Sequence, residues 1–116
     1  MTDQPTPPQL PHHRLVAYQV AVELLLVIKA AGIRDAKLRD EALRAAKSTV
    51  LNIAEGAGRA TPADKRRAFT IARGEGLEAF AALETAALVG DANPADVERC
   101  LPLAQRLYAL LTGLLR

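Results

Sequence analysis

Apolar residues recur every three or four positions along most of the chain, which is the spacing of one face of an α-helix. In the first such segment the repeat is formed by Leu15, Tyr18, Val22 and Leu25. Three more segments follow, and the sequence predicts helices over about residues 14–31, 36–55, 62–89 and 94–115. Short connections favour antiparallel neighbours. We therefore predict an all-α fold, an antiparallel up-down-up-down four-helix bundle.

Capping signals support these boundaries. The segments Thr61 to Asp64 and Asn93 to Asp96 each place a capping side chain before a proline at the first helical position, with an aspartate two residues later. Proline is tolerated there because that N–H has no helical partner, and the aspartate favours the positive end of the helix dipole. Asp35 is expected to cap the second helix, and Gly32 and Gly56 are expected to end the first and second helices.

The first residues differ from the rest of the chain. Residues 1–12 are rich in proline and lack the helical period, so we predict a flexible tail there and a single bundle domain over residues 13–116. The two histidines, His12 and His13, belong to this leader or adjoin it.

Composition agrees with helices and argues against catalysis. Alanine and leucine supply 23 and 18 of the 116 residues, and both are strong helix formers. The predicted body has no histidine after His13 to pair with a nucleophile or to ligate a metal, and Cys100 is the single cysteine. We predict a protein that is not an enzyme, with no catalytic residues, no metal and no cofactor.

No segment is apolar enough to span a membrane, and we expect a cytoplasmic location.

The net charge of +2 conceals two blocks of opposite sign. Residues 34–73 hold ten basic and five acidic residues, whereas residues 74–98 hold six acidic and no basic ones. A bundle would carry these blocks towards opposite ends, and a basic end can bind nucleic-acid phosphates without reading bases. The candidate nucleic-acid-binding residues are Arg44, Lys47, Arg59, Lys65, Arg66 and Arg73. With only 3% aromatic residues, we expect contact with the backbone rather than base stacking. The alternative is that these charges form only a solvated face.

The fourth predicted helix carries two adjacent apolar stripes, more than one core face requires. An exposed apolar stripe usually marks an interface. We assign the second stripe to an oligomer interface formed by Leu103, Leu107, Leu110 and Leu114. The alternative is that both stripes form one wide core face.

The second helix carries a more specific pattern. Arg44 to Ser48, then Asn52 to Gly56 (Asn-Ile-Ala-Glu-Gly), followed by Gly58 and Arg59, resemble the signature of a bacterial four-helix-bundle family. Its founding members are encoded by intervening sequences inserted in 23S ribosomal RNA genes. Residues 71–74 and Glu78 resemble the second motif of that family. Aromatic residues stand in the family where this chain has Lys65 and Ala68.

The resemblance implies a bundle that assembles into a ring, commonly a homopentamer, with no established enzymatic activity. It also implies a relation to accessory proteins of diversity-generating retroelements, in which a basic pentamer binds a reverse transcriptase and its RNA. We therefore expect a homo-oligomer that binds structured RNA or such a ribonucleoprotein. The motif residues Asn52, Glu55 and Gly56 are expected to be structural, orienting helices or subunits. The alternative function is a protein-interaction or scaffold module that binds no nucleic acid.

Overall fold

Four α-helices account for most of the chain in the computed structural model, which describes residues 9–116. Helix α1 is Val16–Ala31, α2 is Ala36–Gly58, α3 is Pro62–Leu88 and α4 is Pro94–Leu114. A short 3-10 helix, Pro11–Arg14, precedes them. The part of the chain that the structure describes contains no β-strand, so the all-α prediction with four helices is confirmed.

Local capping fixes the start of three helices. The Asp35 carboxylate accepts a hydrogen bond from the backbone N–H of Leu38 at 2.9 Å, at the start of α2. At the start of α3, the Thr61 hydroxyl accepts from the N–H of Asp64 at 3.1 Å. The Asn93 side chain accepts from the N–H of Ala95 at 3.0 Å, at the start of α4. All three predicted caps are confirmed.

The ends of the helices follow the sequence less closely. Gly32 adopts φ +57° immediately after α1, the left-handed conformation that ends a helix at glycine. The prediction that Gly56 ends the second helix is wrong, because α2 continues to Gly58. The role of Gly56 is in packing. A Cβ atom at this position would lie 2.7 Å from the Phe69 ring of α3, closer than packed atoms approach.

The core consists of small residues with a few large aliphatic side chains between them. The fully buried large residues include Leu24, Ile53, Leu83, Leu107 and Leu111. Alanines at ten buried helical positions allow the helices to approach closely; they are Ala17, Ala21, Ala42, Ala45, Ala46, Ala68, Ala72, Ala79, Ala82 and Ala86.

Three helices meet at Gly76. A Cβ atom there would lie 3.4 Å from Leu107 Cδ2 of α4 and 3.6 Å from Thr49 Cγ2 of α2. The buried Thr49 hydroxyl donates to the Ala45 carbonyl at 2.8 Å, so its polar atom is satisfied inside the core. Gly76 therefore has the packing reason that a glycine inside a helix requires.

Consecutive helices contact one another, and α1 also contacts α4. The contacts between α2 and α3 extend from Gly56, which packs against Phe69, to Arg44, which pairs with Glu78. Helix α4 continues through Pro102 without interruption. None of the helices formed by residues 9–116 combines the length and the apolar character needed to cross a membrane.

The predicted tail lies mostly outside the described residues. Its last two positions, Pro11 and His12, belong to the 3-10 helix. The His12 ring packs edge-on against Tyr18 of α1, with 4.7 Å between ring centroids. The boundary between tail and bundle stays a prediction.

Candidate nucleic-acid interface

Basic residues from separate parts of the chain converge at one end of the bundle. The start of α3 and the end of α4 meet there around a cleft of about 330 Å³. Its basic residues are Lys65, Arg66 and Arg116, and its apolar lining includes Leu15, Phe69 and Leu114. Arg116 was not among the sequence candidates, because only the fold brings the chain's last residue beside Arg66. We call this the terminal cleft.

A second, smaller cleft of about 140 Å³ lies between the last turns of α2 and the first turns of α3. It is lined by Asn52, Glu55, Arg59, Asp64, Arg67, Ala68 and Ile71. Two guanidinium groups and two carboxylates therefore share one depression. We call it the motif cleft, because Asn52 and Glu55 belong to the sequence motif of α2.

Lys65 is held by the backbone of α2. Its ammonium group donates to the carbonyls of Gly56 at 3.3 Å and Ala57 at 3.0 Å. These carbonyls lie in the last turn of α2, where a cation also interacts favourably with the helix dipole. Lys65 therefore links α3 to the end of α2, and these two carbonyls already compensate part of its positive charge.

Arg73 joins α3 to α4. Its guanidinium lies 5.2 Å from the centre of the Tyr108 ring and donates to the Thr112 hydroxyl at 3.1 Å. The side chain is half-buried. Arg73 is not among the residues that line the terminal cleft.

Arg44 is surrounded by carboxylates. It contacts Glu41 of α2 at 2.8 Å, Glu75 of α3 at 2.9 Å and Glu78 of α3 at 2.7 Å. The hydrogen bond from Arg44 lowers the pKa of Glu41, whereas a hydrogen bond with Glu41 raises the pKa of Glu78. The cluster has more negative than positive groups, and Arg44 links α2 to α3. Its assignment to a phosphate-binding surface stays a prediction.

The remaining candidates differ in their surroundings. Arg59 pairs with Glu55 one turn earlier in α2, and this hydrogen bond raises the pKa of Arg59. Lys47, Arg66 and the unpredicted Arg67 are exposed, and none of them forms an ion pair within residues 9–116.

The six predicted residues therefore do not form one patch. Lys65 and Arg66 line the terminal cleft, and Arg59 lines the motif cleft. Arg44, Lys47 and Arg73 lie along the sides of the bundle. Sequence reasoning could have found Arg67, which adjoins Arg66 in a run of three basic residues.

The motif residues of α2 have few partners on other helices. Asn52 donates its amide to the Ser48 carbonyl at 2.9 Å and to the Ser48 hydroxyl at 3.1 Å, both in α2. Glu55 pairs with Arg59, the residue that immediately follows α2. Within residues 9–116, Gly56 is the one motif residue that contacts another helix directly, through Phe69 and Lys65 of α3.

The interface predicted on α4 requires correction at Leu107. Leu107 is 2% exposed, so it belongs to the core of this chain. Leu103 and Leu110 are half-buried, and Leu114 is 36% exposed beside the terminal cleft. Both stripes of α4 therefore reach the core: Leu107 of the stripe assigned to oligomer contact is buried, and so is Leu111 of the other stripe.

The other stripe of α4 borders an apolar groove. Leu101 and Tyr108 of α4 are 41% and 42% exposed, and Leu77 of α3 is 51% exposed. With Phe80, Ala104 and Gln105 they line a groove of about 480 Å³ between α3 and α4. We call it the lateral groove.

The opposite end of the bundle is not purely acidic, as the charge blocks had suggested. The fold places the start of α2 beside the end of α3. The Arg34 backbone N–H donates to the Asp91 carbonyl at 2.9 Å, and its side chain donates to the Gly90 carbonyl. Basic and acidic residues are therefore mixed at that end.

Cys100 lies in the core of α4. Burial raises the pKa of its thiol to about 11, so the thiol stays protonated and a poor nucleophile at neutral pH. Within residues 9–116, no group of three or more His, Cys, Asp or Glu side chains is placed to hold a metal ion.

Comparison with known proteins gives one informative result. The model of the family described as 23S rRNA-intervening sequence protein matches residues 14–113, which covers all four helices but for the last residue of α4. No curated protein matches the chain.

Proposed function

The chain belongs to the 23S rRNA-intervening sequence protein family, and from that membership we propose that it is a non-enzymatic, homo-oligomeric bundle that binds structured RNA, alone or with a protein such as a reverse transcriptase. In this proposal the RNA contacts the end at which α2 finishes and α3 begins. The observation that carries it is the convergence of Lys65, Arg66 and Arg116 on the terminal cleft.

The physical basis is the exchange of condensed counterions for basic side chains. Each phosphate that Lys or Arg neutralises releases counterions, which favours binding at low salt without any base contact. Arg66, Arg67 and Arg116 are exposed and suit this role. Phe69, the aromatic residue of the terminal cleft, is buried, so it offers no platform for a stacked base. Contact with the sugar-phosphate backbone is therefore the main mode of binding there.

A salt titration with two charge-reversal variants tests this proposal. Affinity for a structured RNA is measured by filter binding, and log K should fall linearly with log salt concentration. Arg66→Glu combined with Arg67→Glu should weaken binding at low salt by about tenfold or more, because two phosphate contacts become repulsive. The matched control is Lys29→Glu combined with Lys37→Glu, which makes the same charge change near the opposite end and should have a much smaller effect.

Two results would refute RNA binding at this end. One is the absence of binding at low salt. The other is an equal loss of affinity in both double variants, since this would indicate a response to net charge alone.

The arrangement of helices in the proposal is antiparallel, in up-down-up-down order. It is supported by the pairing of a late position in α2 with an early one in α3, Gly56 with Phe69, and of an early position with a late one, Arg44 with Glu78. The proposed oligomer is a ring, with a homopentamer favoured, and the cytoplasmic location stays part of the proposal.

The lateral groove supplies the surface for self-association in this proposal. An exposed apolar groove costs free energy in water and is commonly covered by a partner. The same groove favours a second candidate function, a protein-interaction module that binds no nucleic acid. The RNA titration separates the two, because the second function predicts no binding in wild-type protein at any salt concentration.

A further inference from the structure

The motif cleft contains carboxylates that a phosphate-binding surface does not need. Glu55 and Asp64 line it together with Arg59 and Arg67. A carboxylate repels phosphate, so its presence beside two guanidinium groups points to a ligand with both hydrogen-bond donors and acceptors. A nucleobase is such a ligand, and the terminal cleft lies at the same end of the bundle.

The motif cleft has hydrogen-bond acceptors on its α2 side and donors on its α3 side. The Asn52 amide nitrogen is used by Ser48, and its oxygen accepts no hydrogen bond from a side chain within residues 9–116. The Glu55 carboxylate is held by Arg59 through Oε1. The cleft therefore offers neighbouring acceptors on α2, and the Arg67 guanidinium supplies donors from α3. Ala68 and Ile71 provide apolar wall.

This pattern matches the Watson–Crick edge of guanine better than that of the other bases. Guanine presents two adjacent donors, N1–H and N2–H, beside the acceptor O6. Adenine presents one donor group beside an acceptor, and uracil presents one donor between two acceptors. Two adjacent donors suit the two oxygens of one carboxylate, because Oε1 of Glu55 can accept a second hydrogen bond besides that from Arg59. The guanidinium of Arg67 can donate to O6 or to a neighbouring phosphate.

We propose that the motif cleft binds an unstacked guanine of single-stranded RNA, with the Glu55 carboxylate accepting from N1–H and N2–H. Proteins that read RNA sequence commonly do so on bases splayed out from single strands. This inference rests on the proposed function and adds a base-specific contact to it. It also gives the motif residue Glu55 a ligand, which its contact with Arg59 does not provide.

The test compares three labelled oligoribonucleotides by fluorescence anisotropy. Each is a uridine tract with one central residue: guanine, inosine or adenine. Inosine keeps N1–H and O6 but lacks the N2 amino group. Wild-type protein should bind the guanine oligonucleotide about fivefold or more tightly than the other two, the discrimination of one two-bonded base contact.

The variant Glu55→Gln removes the charge and one acceptor and keeps the size of the side chain. It should lose the preference for guanine, while its affinity for the adenine oligonucleotide should stay the same or rise because a negative charge is gone. The matched control is Glu84→Gln, the same change at an exposed position of α3 far from the cleft. It should keep the preference. Circular dichroism confirms that both variants are folded.

Each other outcome overturns the inference. Salt-dependent binding to structured RNA without a guanine preference leaves the proposed function standing and rejects the base contact. The same holds if Glu55→Gln keeps the full preference. Absence of binding to structured RNA and to all three oligonucleotides rejects both.

Discussion

Two glycines of the central helices show how much depends on single positions. Gly56 faces the Phe69 ring so closely that even a methyl group would overlap it. Gly74 lies inside α3, and a Cβ atom there would have no neighbour within 4 Å. In the sequence both are glycines near or within a helix. The fold shows that packing against Phe69 requires a glycine at position 56, whereas packing within this chain does not explain the one at position 74.

Replacing each glycine by alanine should have opposite effects on stability. Gly56→Ala should lower the free energy of unfolding by about 1–2 kcal/mol, because overlap with Phe69 outweighs the gain in helix propensity. Gly74→Ala should raise it by about 0.5–1 kcal/mol, since helix propensity alone changes. Urea unfolding followed by circular dichroism measures both. Equal effects of the two substitutions would contradict the packing described for Gly56.

The basic residues give a second lesson at this scale. The sequence marks Arg44 and Arg66 as similar cations on helices. Arg44 is neutralised by partners that include Glu75 and Glu78, which are 31 and 34 residues away in the chain. Partners at such separations depend on tertiary structure, so sequence spacing could not tell an engaged arginine from a free one.

At the scale of the helices, the starts were predictable, whereas the inward face of α4 was not. The starts of α2, α3 and α4 each depend on a local hydrogen bond, such as that from the Asp64 N–H to Thr61, which neighbouring residues determine. The inward face of α4 depends on which of two similar apolar stripes meets the other helices. Leu107 meets Gly76 of α3, and Leu101 borders the lateral groove instead.

Substitutions on the two faces of α4 should therefore separate folding from assembly. Leu107→Ala should lower the free energy of unfolding by about 2–5 kcal/mol, because it opens a cavity in the core. Leu101→Glu should leave the helical circular dichroism signal unchanged and reduce the oligomer mass measured by light scattering, since it places a charge in the lateral groove.

The control for assembly is Leu26→Glu, the same change at an exposed position of α1 outside the groove. It should leave the mass unchanged. A monomeric wild-type protein would rule out the oligomer, and an unchanged mass in Leu101→Glu would exclude the lateral groove as its contact surface.

At the scale of the whole molecule, the two ends of the bundle differ in a way that the charge blocks predicted only in part. The basic end gains Arg116 from the last residue of the chain. The other end carries charges of both signs, because the fold places Arg34, just before α2, beside Asp91, just after α3. The basic end follows from a local run of charges, whereas the composition of the other end depends on the chain's path.

The most direct test of the central claim is to map where RNA protects the protein. Hydrogen–deuterium exchange with mass spectrometry is run with and without a structured RNA at low salt. The account predicts slower exchange in peptides that cover residues 59–70 and the end of α4, with no change over residues 33–41. Protection over residues 33–41 instead, or no protection anywhere while RNA is bound, would contradict RNA binding at the basic end.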